Sequence, residues 1–252
     1  TLYALVTAYA ADKNPEMKQA VHKMVSGLSK KLDLVHNDRQ AFPFNGFMIK
    51  GLAAAARFAD CEQAATLAKE ITQHVFNDCQ TFSPDNTFQH GGHMHGNLRT
   101  LVGAADVALM TGDPILYSRI NSIYQYVKSI TTAFGFLPEA VGRESDIVLC
   151  ETCALMDFIG IAVTLANHGH PEYWDDVERM TRNQLIESQA KDLSWLRIDQ
   201  SREDTHQFSW HDIDSRLLGA YAGWSSPTHF LAAKETLNHH WGGPELRNKT
   251  RL

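Results

Sequence analysis

Cysteine is scarce: Cys61, Cys79, Cys150 and Cys153 are the four in 252 residues. That is too few to staple a chain of this size, so a disulfide scaffold is excluded and thiol or metal chemistry stays open. Long apolar runs are lacking too. The most apolar stretch, Leu149 to Ala166, is interrupted by Glu151 and Asp157, and no segment reads as a membrane span of ~18 apolar residues. There is no Lys/Arg block, and a formal charge of -6 with mixed signs offers nucleic acid no electrostatic footprint. No Pro/Gly/Ser-rich linker or shift in composition divides the chain, which predicts one domain over residues 1–252. The chain opens on Thr1 and apolar Leu2 to Val6 with neither an initiator Met nor a basic leader region, and reads as beginning inside a helix. A leader lost ahead of Thr1 would leave the compartment open, with the cytoplasm favoured.

What is present is a beat of two kinds of helix. Met17, Val21, Met24, Val25, Leu28, Leu32 and Val35 form one apolar stripe on a polar helix, as an outer, half-exposed helix requires. Phe47 to Phe58 leaves almost no polar face and predicts an inner helix surrounded by protein. The alternation continues with an outer stripe over Ala64 to Val75, an inner helix over Met94 to Ala108, and an outer stripe over Leu116 to Ile130. An inner helix over Ala154 to Ala166 and an outer one from Tyr173 to Leu185 complete it. Counting Leu2 to Ala10 as the first inner helix gives four inner/outer pairs. Trp174, on an outer helix, is expected in the core.

Inner-to-outer connections are short and carry caps and prolines, as in Asp12-Lys13-Asn14-Pro15-Glu16 and Thr111-Gly112-Asp113-Pro114. Outer-to-inner connections are long, near residues 36–45, 78–92, 132–150 and 190–214. All long loops therefore fall at one end. Helical hairpins of this kind predict an all-α fold closing into an (α/α)6-type toroid, with an open solenoid as the competing architecture. Six hairpins need more chain than four, so the toroid is expected to be incomplete in this chain. The site is expected at the long-loop end.

Four groups of residues there bear chemistry. Phe42, Pro43, Phe44 and Asn45 bring aromatics to the rim or pin the loop. In Phe88 to Asn97, three histidines fall within six residues. His93 and Asn97 are one helical turn apart and can both point into the cleft, while His95 diverges by about 200° from His93. Substrate hydrogen bonding, a metal site and a structural role all remain open for this cluster. The third loop holds Glu139, then Arg143-Glu144-Ser145-Asp146, then Cys150-Glu151-Thr152-Cys153. Carboxylates brought together across a cleft are what glycoside hydrolysis requires. The bland alternative pairs Glu139 with Arg143 and packs Cys153 as a small hydrophobe; a redox role for Cys150-x-x-Cys153 lacks its usual βαβ setting. Four of the five tryptophans, Trp195, Trp210, Trp224 and Trp241, follow Ala190. With His211 and His229 beside them, Trp210 and Trp224 offer the flat, polar-edged faces that sugars bind.

At Glu139, Glu151-Thr152-Cys153 and the apolar helix that follows, and again at Tyr173 to Arg179 and Arg182 to Leu185, the sequence resembles the thiolate-dependent β-L-arabinofuranosidases. These form glycoside hydrolase family 127, within the six-hairpin glycosidase superfamily, and the resemblance spans roughly residues 88–230. It implies a glycosidase on an α/α toroid acting on a carbohydrate, with Glu139 as acid/base and with zinc held by Glu151 and Cys153. The family also uses two adjacent cysteines further on, and this chain has no such pair up to Leu252. Cys150 could stand in as a ligand, though its place beside Glu151 strains a single tetrahedral site. Without a thiolate, two of Glu139, Glu144, Asp146 and Glu151 would act as in carboxylate glycosidases.

Catalytic Glu139 and Glu151 are thus expected, with His93, His95, Asn97, Trp210, His211, Trp224 and His229 binding a carbohydrate, and neither nucleic acid nor membrane as partner. Two other readings use the same architecture: a sugar lyase or epimerase with a histidine base, and a non-catalytic carbohydrate-binding helical repeat.

Overall fold

The computed structural model describes residues 1–32, 46–89, 92–141, 150–193, 203–206, 209 and 211–225. The chain is predominantly helical, and its main helices alternate as the apolar patterns require. The inner ones are α1 (Leu2–Asp12), α3 (Gly46–Ala59), α5 (Met94–Thr111) and α7 (Thr152–Asn167). The outer ones are α2 (Pro15–Lys31), α4 (Glu62–Gln73), α6 (Pro114–Ser129) and α8 (Trp174–Met180). A short α9 (Ile213–Leu217) follows. Among the described residues the only paired strands are β1 (Cys150–Glu151) and β2 (Trp224–Ser225), antiparallel with Glu151 opposite Trp224.

Short turns arise where a stop signal meets a cap. Gly112 ends α5 at φ 65 with its N–H on Ala108 O, and Asp113 then caps α6 by accepting from the N–H groups of Ile115 and Leu116 ahead of Pro114. Asn14 does the same for α2 through the Glu16 N–H. Each turn reverses the chain, so an outer helix folds back on the inner helix before it.

The inner helices pack in series, α1 on α3, α3 on α5 and α5 on α7, and each outer helix covers its own inner partner. α3 and α5 approach closely: a Cβ on Gly103 would lie 2.7 Å from both Ile49 Cβ and Lys50 N. Glycine therefore sets that spacing, and Ile49, Leu52, Leu98 and Leu101 fill the seam. Each such fully buried aliphatic side chain contributes roughly 1.5–3 kcal/mol of transfer free energy.

Three local outcomes differ from expectation. The α2 helix ends at Lys31, with Leu32 extended yet still packed against the core, and Val35, the last of the expected stripe, lies outside the described residues. Trp174 is not in the core but 45% exposed, because the inward face runs through Tyr173, Asp176 and Met180 and Trp174 sits about 100° around from Tyr173, which takes the buried place. Two outer helices also run on into π-helical turns, His74–Asp78 after α4 and Thr181–Leu185 after α8. No helix among the described residues is long and apolar enough to cross a membrane.

Candidate functional site

The long-loop end holds the amino-terminal mouths of α5 and α7, and the chain is woven tightly there. Residues 139–141 run antiparallel across residues 92–94, with Met94 N–H on Glu139 O at 2.8 Å and Val141 N–H on Gly92 O at 2.9 Å. Gly92 is required, since a Cβ there would fall 1.8 Å from Val141 O. This crossing sets Glu139 beside His93. On the other side β1 carries Glu151 into the first turn of α7, where Thr152 ties in residues 222–223, its N–H reaching Gly223 O at 2.9 Å and its hydroxyl reaching Ala222 O.

His93, Glu139 and Glu151 converge there, with one nitrogen or oxygen of each lying within 4.8 Å of the others. His93 caps α5, its Nδ1 accepting from Gly96 N–H at 3.3 Å. An accepting Nδ1 leaves the ring proton on Nε2, which sits 3.1 Å from Glu151 Oε2. The Glu151 carboxylate raises the His93 pKa above the ordinary imidazole range, outweighing burial. Burial works to raise Glu151, but bonds from His93 and from the Cys153 S–H, with the charge of His95 added, leave its carboxyl below the usual range. Cys153 pays the converse: burial and the neighbouring Glu151 carboxylate push its thiol up to about 12. Glu139 is 5% exposed, buried behind this pair.

The other predicted residues divide. His95 does diverge from His93, yet it stays in the site: its Nδ1 lies 3.0 Å from Asp157 Oδ2 and its ring centroid is 6.3 Å from that of His93. Asn97 is buried, its amide donating to His93 O at 2.9 Å. His211 is exposed, and its Nδ1 lies 2.9 Å from Asp204 Oδ1. Trp224 is described only as backbone in β2. Phe42, Pro43, Phe44, Asn45, His90, Arg143, Glu144, Ser145, Asp146, Trp195, Trp210, His229 and Trp241 lie outside the described residues.

Two supporting groups escape the sequence reading. Asp157, buried in α7, accepts from His95 and from Arg99, whose Nη1 is 3.3 Å away. A lone carboxylate amid the most apolar helix was its signal. Gln184 projects from the second π-helical turn and accepts from Leu137 N–H at 3.0 Å, tying the Glu139 loop to the outer layer. No spacing rule marks a residue displaced by a π-turn.

The donor set suits a divalent cation. One imidazole nitrogen and two carboxylates, with a thiol already on Glu151, are ligand types that zinc accepts, and His93, Glu139 and Glu151 are close enough to hold one ion. Compared with known proteins, the chain matches no family model, and no curated protein matches it.

Proposed function

We propose that this chain is a glycoside hydrolase on an α/α toroidal scaffold, with the Glu139/Glu151 pair as its reacting centre. The observation that carries the reading is the convergence of both carboxylates with His93 at the mouths of two inner helices. Serial packing of paired helices with every long loop at one end supports the toroid. The resemblance to the thiolate-dependent β-L-arabinofuranosidases points the same way.

The roles follow from the surroundings. Glu151 is held ionised by His93 and Cys153, which suits a nucleophile or a carboxylate that steadies positive charge on the sugar. The proton donor is then Glu139. Carboxylate oxygens under 5 Å apart leave no room between them for an attacking water, which favours the retaining course. Zinc, where bound, would be held by Glu151 and Cys153 with His93 and Glu139 in reach, and supplies a Lewis acid that keeps a coordinated thiol deprotonated.

Aryl furanosides and pyranosides test the reading. Glu139→Gln and Glu151→Gln should each lower kcat by about 10²-fold or more while substrate still binds. Near-normal turnover in both variants would remove the glutamates from the reaction. Elemental analysis should find zinc near one per chain, lost in Cys153→Ala.

One observation favours a second reading. His95, oriented through Nδ1 by Asp157, presents the Nε2 lone pair of a general base, as a sugar lyase or epimerase needs. An unsaturated product absorbing in the ultraviolet, or an isomer with no bond broken, would select it.

A further inference from the structure

The outer layer carries a second constellation, which the glutamate centre does not use. At the end of α4 the π-helical turn His74–Asp78 leads into Cys79, whose N–H bonds His74 O at 2.9 Å, five residues back. In an α-helix residues five apart stand about 140° from each other around the axis. The wider π-turn closes that angle and brings the Cys79 side chain to the His74 ring. Cys79 Sγ lies 3.2 Å from His74 Nε2, and His74 Nδ1 lies 2.9 Å from Asp78 Oδ2. Val75 and Phe76, both buried, pin the turn to the core.

Thiol, imidazole and carboxylate in that order are a nucleophile, its base and a group that orients the base. The Nδ1–H donates to Asp78, which leaves Nε2 to take the thiol proton. Sulfur and carboxylate meet opposite nitrogens of the ring, the geometry of a proton relay and not of ligands around one ion. The exposures suit a reacting thiol. The His74 side chain is 12% exposed and sheltered from water, whereas Cys79 is half-buried and within reach of a small reagent. Cys61 and Cys150 are buried, and Cys153 has the Glu151 carboxylate beside it, which opposes loss of its proton. Cys79 faces an imidazole instead.

We propose that Cys79 is a reactive thiol, deprotonated by His74 and oxidised by hydroperoxides to a sulfenic acid. His74 Nε2 takes the thiol proton, and the thiolate attacks the terminal oxygen of the hydroperoxide. An S–O bond forms as the O–O bond breaks, and the sulfur gives up two electrons to the departing oxygen. That oxygen takes the proton held on His74 Nε2 and leaves as an alcohol, or as water when the reagent is hydrogen peroxide. Cys79 is left as S–OH, which thiols reduce back. Asp78 is a positioning residue: it holds the ring so that Nε2 faces the sulfur. The inference stands whether or not the glutamate centre hydrolyses glycosides.

Hydrogen peroxide added to the whole chain at pH 7, with dimedone to trap sulfenic acid and peptide mapping to place it, tests the proposal. An ordinary thiol, with a pKa of about 8.5, is mostly protonated at that pH. Cys79 should be labelled at least about tenfold faster than Cys153, and His74→Gln should slow Cys79 by about tenfold. The ultraviolet absorbance of a thiolate, taken as the difference between the chain and Cys79→Ser, should be present at pH 7, vanish in His74→Gln and shrink in Asp78→Asn. Circular dichroism checks that each variant is folded, and the comparison with Cys153 needs no variant at all. Labelling of Cys79 no faster than that of Cys153, no thiolate absorbance from Cys79, or a rate unchanged in folded His74→Gln would each overturn the proposal.

Discussion

The α-carbon of Gly92 faces the carbonyl of Val141 so closely that a methyl group there would sit 1.8 Å from the oxygen. That close approach lets two backbone hydrogen bonds hold residues 139–141 against the start of α5. Gly92→Ala should therefore push residues 139–141 away from His93 and destabilise the chain by about 1–3 kcal/mol, lowering Tm by roughly 2–4 °C per kcal/mol. Helical content should stay near that of the unaltered chain while zinc retention and any glycosidase turnover fall at least about tenfold. A variant with full activity would show that the crossing does not position Glu139.

Helix spacing gives a matched pair of substitutions. Gly103→Ala drives a methyl into Ile49 and the Lys50 backbone and should destabilise by about 1–3 kcal/mol. Gly27→Ala, in α2 with nothing within 4 Å, should instead stabilise by about 0.4–1 kcal/mol through the lost freedom of the unfolded chain. Urea unfolding measures both; equal effects would refute the assigned packing.

Asp106 supplies a pH dependence. Burial raises its pKa above the ordinary 3.8, against the pull of Lys50, Arg57 and Arg99. A carboxyl raised in the folded state binds its proton more tightly there than in the unfolded chain. Its contribution is therefore fully present in acid below 3.8 and is lost as pH rises through the folded value. Asp106→Asn should gain more stability over the unaltered chain at pH 7 than at pH 4, read as the difference in Tm. An equal gain at both would place Asp106 in water.

Cys153 should react slowly. With its thiol pushed up to about 12, little thiolate is present at neutral pH in protein stripped of divalent metal. Peptide mapping after iodoacetamide should find Cys153 modified more slowly than an ordinary free thiol, and faster in Glu151→Gln, where one raising influence is gone. No change on that substitution would mean that the carboxylate does not govern the thiol.

The helical pairs were readable because burial leaves a period in the sequence: the one-sided stripe of Ile120, Ile123 and Val127 and the all-apolar faces around Leu98 and Ile161 each announced their layer. The asymmetry of loop lengths pointed to the end at which His93, Glu139 and Glu151 meet. Tertiary geometry stayed hidden. That His93 caps its own helix while facing Glu151 depends on a strand crossing between residues 92–94 and 139–141, which no local pattern encodes. His95 was rightly separated from His93 by helical angle, but its Asp157 partner comes from a neighbour about sixty residues away. Trp174 was misplaced because hydrophobicity alone cannot choose between adjacent aromatics, and Tyr173 has the inward bearing.

The π-helical turn at Thr181–Leu185 carries one residue more per turn than the helix it extends. Removing a single residue there would restore an uninterrupted α-helix and rotate everything downstream by about 100°. The secondary structure would survive such a deletion almost unaltered. Gln184 would nonetheless swing off Leu137, so the frame behind the glutamates would come apart with no helix lost.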